Sequence, residues 1–339
     1  MHSPRAHLQS SEARPHLSNI DQDTTSMQIR NFKDLLSTAA ALRGKRIVVI
    51  APANAETFEA IRLALEQLGA ACILVGNSDS IERGLASHEI DRAQVEIVHR
   101  QDTLSALSAA IGIVRDGRGD ILMKGSIDTS SMMKGVLQQE SGLRTGRLLS
   151  DVFIFEYPER VGNSLVMITD GGITPAPDLK TKVDIVLNSV AVAHALGNPM
   201  PRVAILSATE FVHPGIPSTL DAAALAKMND RGQITGCVVD GPLALDNALS
   251  QEAAEEKGIR SAVAGRADIL VAPSIEAANS LAKGATYFGN FPAAHVIVGA
   301  KLPILIPSRA DKSTAKLHSI ALGVIMSAAP ENVSEREPS

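Results

Sequence analysis

Tryptophan is absent, and the aromatic residues together make up only 3% of 339 residues. The stacking platforms of single-strand nucleic-acid binders and the aromatic belts of membrane proteins therefore both lack material. Positive charge is also short: 32 Lys and Arg stand against 37 Asp and Glu, a formal charge of -5. No overall basic field exists to hold nucleic acid or an anionic membrane, so any positive site must be local. Cysteine is limited to Cys72 and Cys237, far apart and each inside an apolar run. That suggests neither a disulfide framework nor a thiolate metal site, and it fits a reducing cytoplasm. Several motifs are missing as well. The loop after the first strand reads Ala51-Pro52-Ala53-Asn54-Ala55 rather than GxGxxG, and there is no GxxxxGK[ST], HExxH or GxSxG pattern.

What remains is an Ala, Val, Ile and Leu core in a chain that is 45% apolar and 20% charged, ordinary for a globular protein. At roughly 100–200 residues per domain, the length fits two lobes. Met1 to Met27 is polar, rich in Ser, His and Pro, and carries no apolar run. It reads as a disordered tail, neither signal peptide nor membrane span, with Met27 a candidate start.

From Lys45 onward, short β-branched runs alternate with helical patterns, the signature of a parallel sheet covered by helices. Strands are expected at 46–50, 71–75, 95–98, 120–123, 152–155, 165–168, 203–206, 237–239, 269–271, 295–298 and 304–306. Helices are expected over 55–68, after Asp178 as N-cap with Val183, Val186, Leu187 and Val190 on one face, and from Ser218 with Asp221 in a capping-box pattern. A last helix has Leu317, Ile320, Ala321 and Val324 on its apolar face. Cys237 reads as a buried strand residue, His194 and His318 as structural or surface residues.

Sheets of this kind place ligands at the carboxyl ends of strands, where loops feed helix N-termini. Three loops carry the chemistry. Lys124-Gly125-Ser126 to Lys134 sets a glycine and a hydroxyl cluster between two lysines, an anion site. A helix capped by Thr129 or Ser130 with solvated lysines accounts for the same residues. Asp240-Gly241-Pro242 to Asp246 breaks a strand end with two acids nearby, and a plain turn explains it too. Ser308, Arg309 and Asp311 follow the last strand and offer an oxyanion donor, a phosphate-binding fork and a proton carrier. There the bland reading is a helix capped by Asp311 or Ser313, with Arg309 on the surface. Asp170 with Gly171-Gly172 lines a cleft or, more simply, makes a turn.

Five ordered blocks resemble the phosphate acetyl/butyryltransferase family: LMKGSIDTSSMMKGVL ending at Leu137, Gly142 to Glu156, Pro217 to Ala248, Ala267 to Phe288, and Val298 to Asp311. The resemblance spans about 28–328 and is nearest to the phosphotransbutyrylase branch. It implies an α/β fold of two α/β/α lobes with parallel-rich sheets, in the architecture of isocitrate and isopropylmalate dehydrogenases, with the active cleft between lobes. Lobe one is expected at 28–148 plus 295–339, lobe two at 149–294. The implied reaction moves a short acyl group, acetyl or butyryl, between coenzyme A and inorganic phosphate by direct attack in a ternary complex. Coenzyme A is a substrate, and neither a bound cofactor nor a metal is implied. A cytoplasmic homodimer coupled to a carboxylate kinase is the implied setting.

Within this resemblance Ser308, Arg309 and Asp311 are the catalytic candidates. Lys134 and Arg309 clamp phosphate, and Lys124, Ser126, Thr129, Arg144, Thr145, Asp240 and Gly241 contact phosphate or coenzyme. Two positions depart from the family. Lys134 replaces an arginine and loses its bidentate fork. Ala315 replaces an aspartate that exchanges the thiol proton in the acetyltransferase branch, leaving Asp311 as the nearest substitute. A catalytically inactive CoA- or phosphate-binding regulator and a metal- and NAD(P)-dependent decarboxylating dehydrogenase are the alternative functions.

Overall fold

β-Branched runs too short for helices, each followed by a capped amphipathic stretch, become strand–helix units in the computed structural model, which describes residues 28–157, 159–160 and 162–329. The segment expected to be a tail, 1–27, lies outside them. The first elements are α1 (Phe32–Ala41), β1 (Arg46–Ile50), α2 (Ala55–Leu68), β2 (Ala71–Gly76), α3 (Ser78–Ser87), β3 (Val95–His99), α4 (Thr103–Arg115), β4 (Ile121–Lys124) and α5 (Thr129–Leu137). Next come β5 (Ser150–Glu156), β6 (Leu165–Thr169), α6 (Leu179–Ala195), β7 (Arg202–Leu206), α7 (Pro217–Asp230) and β8 (Val238–Leu243). The chain ends with α8 (Leu245–Leu249), α9 (Gln251–Glu256), β9 (Ile269–Val271), α10 (Ile275–Tyr287), β10 (Ala293–Val298), β11 (Ile304–Leu305) and α11 (Ser313–Ala328).

All the expected strands are present, and Asp178 caps α6 by accepting the Thr181 N–H at 2.8 Å. Two details differ. The chain does not break at Gly241-Pro242: β8 runs through both, which an edge strand allows because its outer side needs no ladder donor. The capping box of Ser218 and Asp221 does not form either. Pro217, with its φ already preset, starts α7 one residue earlier, and no side chain caps it. Ser218 instead meets the Ser207 hydroxyl at 2.8 Å, and Asp221 pairs with buried Lys182 of α6 at 2.6 Å.

Among the described residues, eleven strands form one sheet in the order β3-β2-β1-β4-β11-β10-β5-β6-β9-β7-β8. The sets β3-β2-β1-β4-β11 and β6-β9-β7-β8 are each parallel, and β10 and β5 join them through antiparallel pairings. Fold class is thus α/β with a large parallel-rich sheet, the two parallel sets sharing one ladder. On one face a single apolar core runs the length of the sheet, from Ile47 and Val49 through Val152 and Ile154 to Val203 and Ile205, under α1, α2, α6, α7 and α11. On the other face two separate cores lie under α4 and α5 and under α8, α9 and α10. Each fully buried aliphatic side chain contributes about 1.5–3 kcal/mol. Among the described residues no helix is long and apolar enough to cross a membrane.

Between the two separate cores stand polar residues. Asp151 of β5 and His295 of β10 meet at 3.2 Å, and the Asp170 carboxylate, just past β6, accepts the N–H groups of Asp151, Gly172, Ile173 and Thr174. Asp170 is thus a turn builder. Burial pushes its acid above the usual carboxylate range, and neighbouring Asp151 adds to the shift.

Candidate active site

The order β3-β2-β1-β4 means that the chain steps outward in one direction from β1 and then returns to its other side, so a crevice opens between the loops after β1 and β4. β11 lies on the far side of β4, parallel to it. Three carboxyl-end loops therefore stand side by side: Ala51 to Asn54 before α2, Gly125 to Asp128 before α5, and Ile306 to Lys312 before α11. The first two are stitched together, because Gly125 N–H donates to the Ile50 carbonyl at 2.9 Å and Ser126 N–H to the Ala51 carbonyl at 2.8 Å. A Cβ at position 125 would collide with both oxygens, which is why glycine sits there.

Lys124 is the last residue of β4 and only 7% exposed, yet among the described residues its ammonium has no hydrogen-bond or ion-pair partner. Burial pushes it below the ordinary amine range. The Arg309 guanidinium adds to that, while Asp311 and Asp128 oppose it. Arg309 is exposed in the middle of the loop after β11 and likewise has no partner among the described residues. Ser126 and Thr129 are half-buried, and their hydroxyls make no hydrogen bond among the described residues. Two unpaired cations, two free hydroxyls and the N-terminus of α5 thus face the same loop cluster. Charge unbalanced in this way calls for an anion.

α5 is capped by Asp128, not by Thr129 or Ser130: its carboxylate accepts the Ser131 N–H at 2.8 Å. That bond holds its acid below the usual range, with Lys134 a smaller contributor. Lys134 is exposed in the last turn of α5. α11 has Lys312 at its N-cap and no side-chain cap, so neither Asp311 nor Ser313 fills that place. The Asp311 carboxylate turns back and accepts the Ser308 N–H at 2.7 Å, while Asp311 N–H donates to the Ser308 carbonyl at 3.2 Å. The segment Ser308 to Asp311 is therefore a closed turn that presents Arg309 outward.

Two members of the cluster carry no sequence signal. Lys316, one turn into α11, is 1% exposed, and its Nζ donates to the carbonyls of Ser308 at 2.9 Å and Asp311 at 2.6 Å. Glu56, in the first turn of α2, accepts the Ser313 N–H at 2.6 Å and so caps α11 from another helix. Spacing within α11 would have flagged Lys316 only if its burial were known.

Other expected site residues lie elsewhere. Arg144 bridges to Ala300 and the Thr145 hydroxyl donates to the Gly299 carbonyl, in the connection between β10 and β11. That is the amino end of β11, the opposite end from Arg309. A cavity of about 340 Å³ opens there, lined by Val136, Arg144, Arg147, Asp184 and Ala300. Asp240 and Gly241 are on the edge strand β8, seven strand places from β4. Asp240 accepts its neighbour Gly241's N–H, and a Cβ at 241 would press on the Ile205 carbonyl. Cys72 and Cys237 are buried, and burial pushes their thiols up to about 12 and about 11. His194 bonds the Gly236 carbonyl, and His318 stacks on Phe32 with ring centres 4.2 Å apart.

The chain is similar to known proteins along most of its length. Residues 99–324 match the family described as phosphate acetyl/butaryl transferase. A phosphate butyryltransferase of Clostridium beijerinckii is 42% identical over 299 residues, covering 88% of this chain and 98% of that one. A phosphate acetyltransferase of Rhizobium meliloti is 43% identical over 296 residues, covering 87% and 93%. Among solved structures, a branched-chain phosphotransacylase from Enterococcus faecalis V583 superposes with a TM-score of 0.75 at 29% identity, covering 84% of this chain and 99% of that one.

Proposed function

The chain belongs to the phosphate acetyl/butyryltransferase family, and from that premise we propose that the loops after β1, β4 and β11 hold phosphate against the thioester of an acyl-CoA. It is a phosphate acyltransferase, with coenzyme A as a substrate rather than a resident cofactor. The observation that carries the site is Lys124, a residue only 7% exposed whose ammonium has no partner among the described residues, near the equally unpaired Arg309.

In this reading Lys124 and Arg309 neutralise phosphate, the α5 N-terminus with Ser126 and Thr129 orients it, and Lys134 adds charge from farther along α5. A phosphate oxygen attacks the thioester carbon. The C–O bond forms as the C–S bond breaks, giving acyl phosphate and coenzyme A thiolate. The Ser308 hydroxyl donates to the carbonyl oxygen as charge develops there, a role worth roughly 10²–10³ in rate. One Asp311 oxygen closes the turn, and the other exchanges the thiol proton. Holding both reactants in a ternary complex supplies up to roughly 7–11 kcal/mol of the barrier.

The proposal extends to the lobes. The split of one face into two cores supports a division into 28–148 plus 295–339 and 149–294, with acyl-CoA entering between them. Arg144 and Thr145 then serve the coenzyme rather than phosphate, while Asp240 and Gly241 belong to the facing lobe. A cytoplasmic setting is supported by two buried, unpaired thiols. Exposed Tyr287 and Phe288 at the end of α10 offer apolar surface for a homodimer. A carboxylate kinase that consumes the acyl phosphate completes the reading. The test is thiol release from acetyl-, propionyl- and butyryl-CoA with and without phosphate, for wild type and Arg309→Ala. Phosphate-dependent release that collapses in the variant is expected, and the best chain length names the acyl group. Undiminished release by Arg309→Ala would remove this site.

A further inference from the structure

We propose that Lys316 is the positioning residue of this active site, the group that fixes the Ser308–Asp311 turn and thereby aims Ser308 and Arg309. The inference rests on the reading of that turn as catalytic. Lys316 is the largest side chain of the fully buried set, and no acidic side chain bonds it among the described residues. A lysine is seldom so completely buried unless its ammonium is satisfied. Here the partners are two backbone carbonyls, those of the first and last residues of one turn. Helical side chains lean toward the helix N-terminus, so a residue in the fourth position of α11 reaches back over the turn that precedes the helix.

The turn has little else to hold it from below. Its internal bonds are Asp311 carboxylate to Ser308 N–H, Asp311 N–H to Ser308 carbonyl and a long one from Ala310 N–H to the Ser308 hydroxyl at 3.4 Å, which close the ring without fixing its tilt. α11 brings no cap of its own, and Glu56 takes only Ser313. Among the described residues, Lys316 is the side chain of α11 that ties the turn to the helix body, and it does so at two points. Charges around it are arranged for this: Asp311 and Glu56 favour its ammonium against the cost of burial, while Lys124 faces it from β4 as a like charge. Nothing places Nζ at the open surface where phosphate would sit, so its action is through Ser308 and Arg309.

The test compares Lys316→Met, which keeps the buried stem and removes the donors, with wild type and with Arg309→Ala. Positioning predicts that kcat of Lys316→Met falls on the order of 10²-fold, as expected for a misplacement near 1 Å. KM for acyl-CoA and for phosphate should move less than about threefold, since neither substrate touches Lys316. A wild-type kcat in Lys316→Met, beside an inactive Arg309→Ala, would overturn the role of Lys316 and leave the site standing. Full activity in both variants would remove the site itself. Should Lys316→Met fail to fold, Lys316→Arg keeps charge and donors but shifts the fork. A lowered kcat at unchanged KM then supports positioning, and wild-type kcat overturns it in favour of a buried charge with a purely structural task.

Discussion

The helices after β4 and β11 begin side by side and are started in opposite ways. α5 closes its own end, with Asp128 three residues before the N–H it accepts. α11 has no cap of its own: Glu56 from α2 accepts the Ser313 N–H, and Lys316, the fourth residue of the helix, donates to two carbonyls of the turn before it. The first arrangement is local and keeps its shape whatever surrounds it. The second exists only in the folded protein, so the geometry of Ser308 and Arg309 is as reliable as the packing of α11 on α2. In the proposed reading the difference separates two tasks: a rigid receptor for the anion at α5, and a reactive turn whose aim is set by tertiary structure.

Four substitutions or measurements would break or sharpen this contrast. The largest effect is expected at Lys124→Met: thiol release should fall roughly 10²–10³-fold, because the receptor loses its buried charge. Stability in urea should hold or rise by up to about 1 kcal/mol, since burying most of an unpaired lysine side chain beside other cations is costly. Next comes Asp311. Asp311→Asn keeps an oxygen for the Ser308 N–H but carries no exchangeable acid, and kcat should fall about 10²-fold, the low end for general acid–base catalysis because a thiolate leaves readily. Asp311→Ala opens the turn as well and should fall further. Equal activity of the Asn variant and wild type would leave Asp311 with the turn alone.

A pH series gives the third. Lys316 and Lys124 are held below the ordinary amine value of 10.5 by burial, so between the lowered values and 10.5 the unfolded chain binds more protons than the folded one. The contribution of these two lysines to stability should therefore rise with pH through that alkaline window and stay level below it, where both states are fully protonated. In Lys316→Met the rise, read from urea midpoints at about pH 8 and pH 10, should be smaller than in wild type. The smallest effect is at the self-closed end: Asp128→Ala should cost about 1 kcal/mol of stability, measured by urea unfolding. Glu56→Gln, whose amide oxygen still accepts from Ser313, should cost less.

How legible each part was in the sequence follows the same line. Runs such as Arg46 to Ile50 and Leu165 to Ile168, and the Asp178 cap, announce themselves because alternation and capping act within a few residues. That Lys124, Ser126, Ser308 and Arg309 stand at strand ends was visible because strand and helix patterns bracket their loops, where parallel sheets bind ligands. Lys316 and Glu56 were not, since a lysine or glutamate in an amphipathic helix reads as solvated until the partner helix is known. The joining of two parallel sets into one sheet was also out of reach. It depends on β10 pairing with β5, whose residues are more than a hundred positions apart, and no local pattern records such a choice.

The same pairing sets the order in which the protein can be finished. β10 and β11 come from the end of the chain but lie in the middle of the sheet, between β4 and β5. Until residues 293–328 leave the ribosome, both of those strands present open hydrogen-bonding edges, and the continuous core lacks its α11 cover. The newborn chain must wait for residues 293–328 to close a gap at its centre, so truncation or slow synthesis ahead of them exposes two strands able to pair with a neighbouring chain.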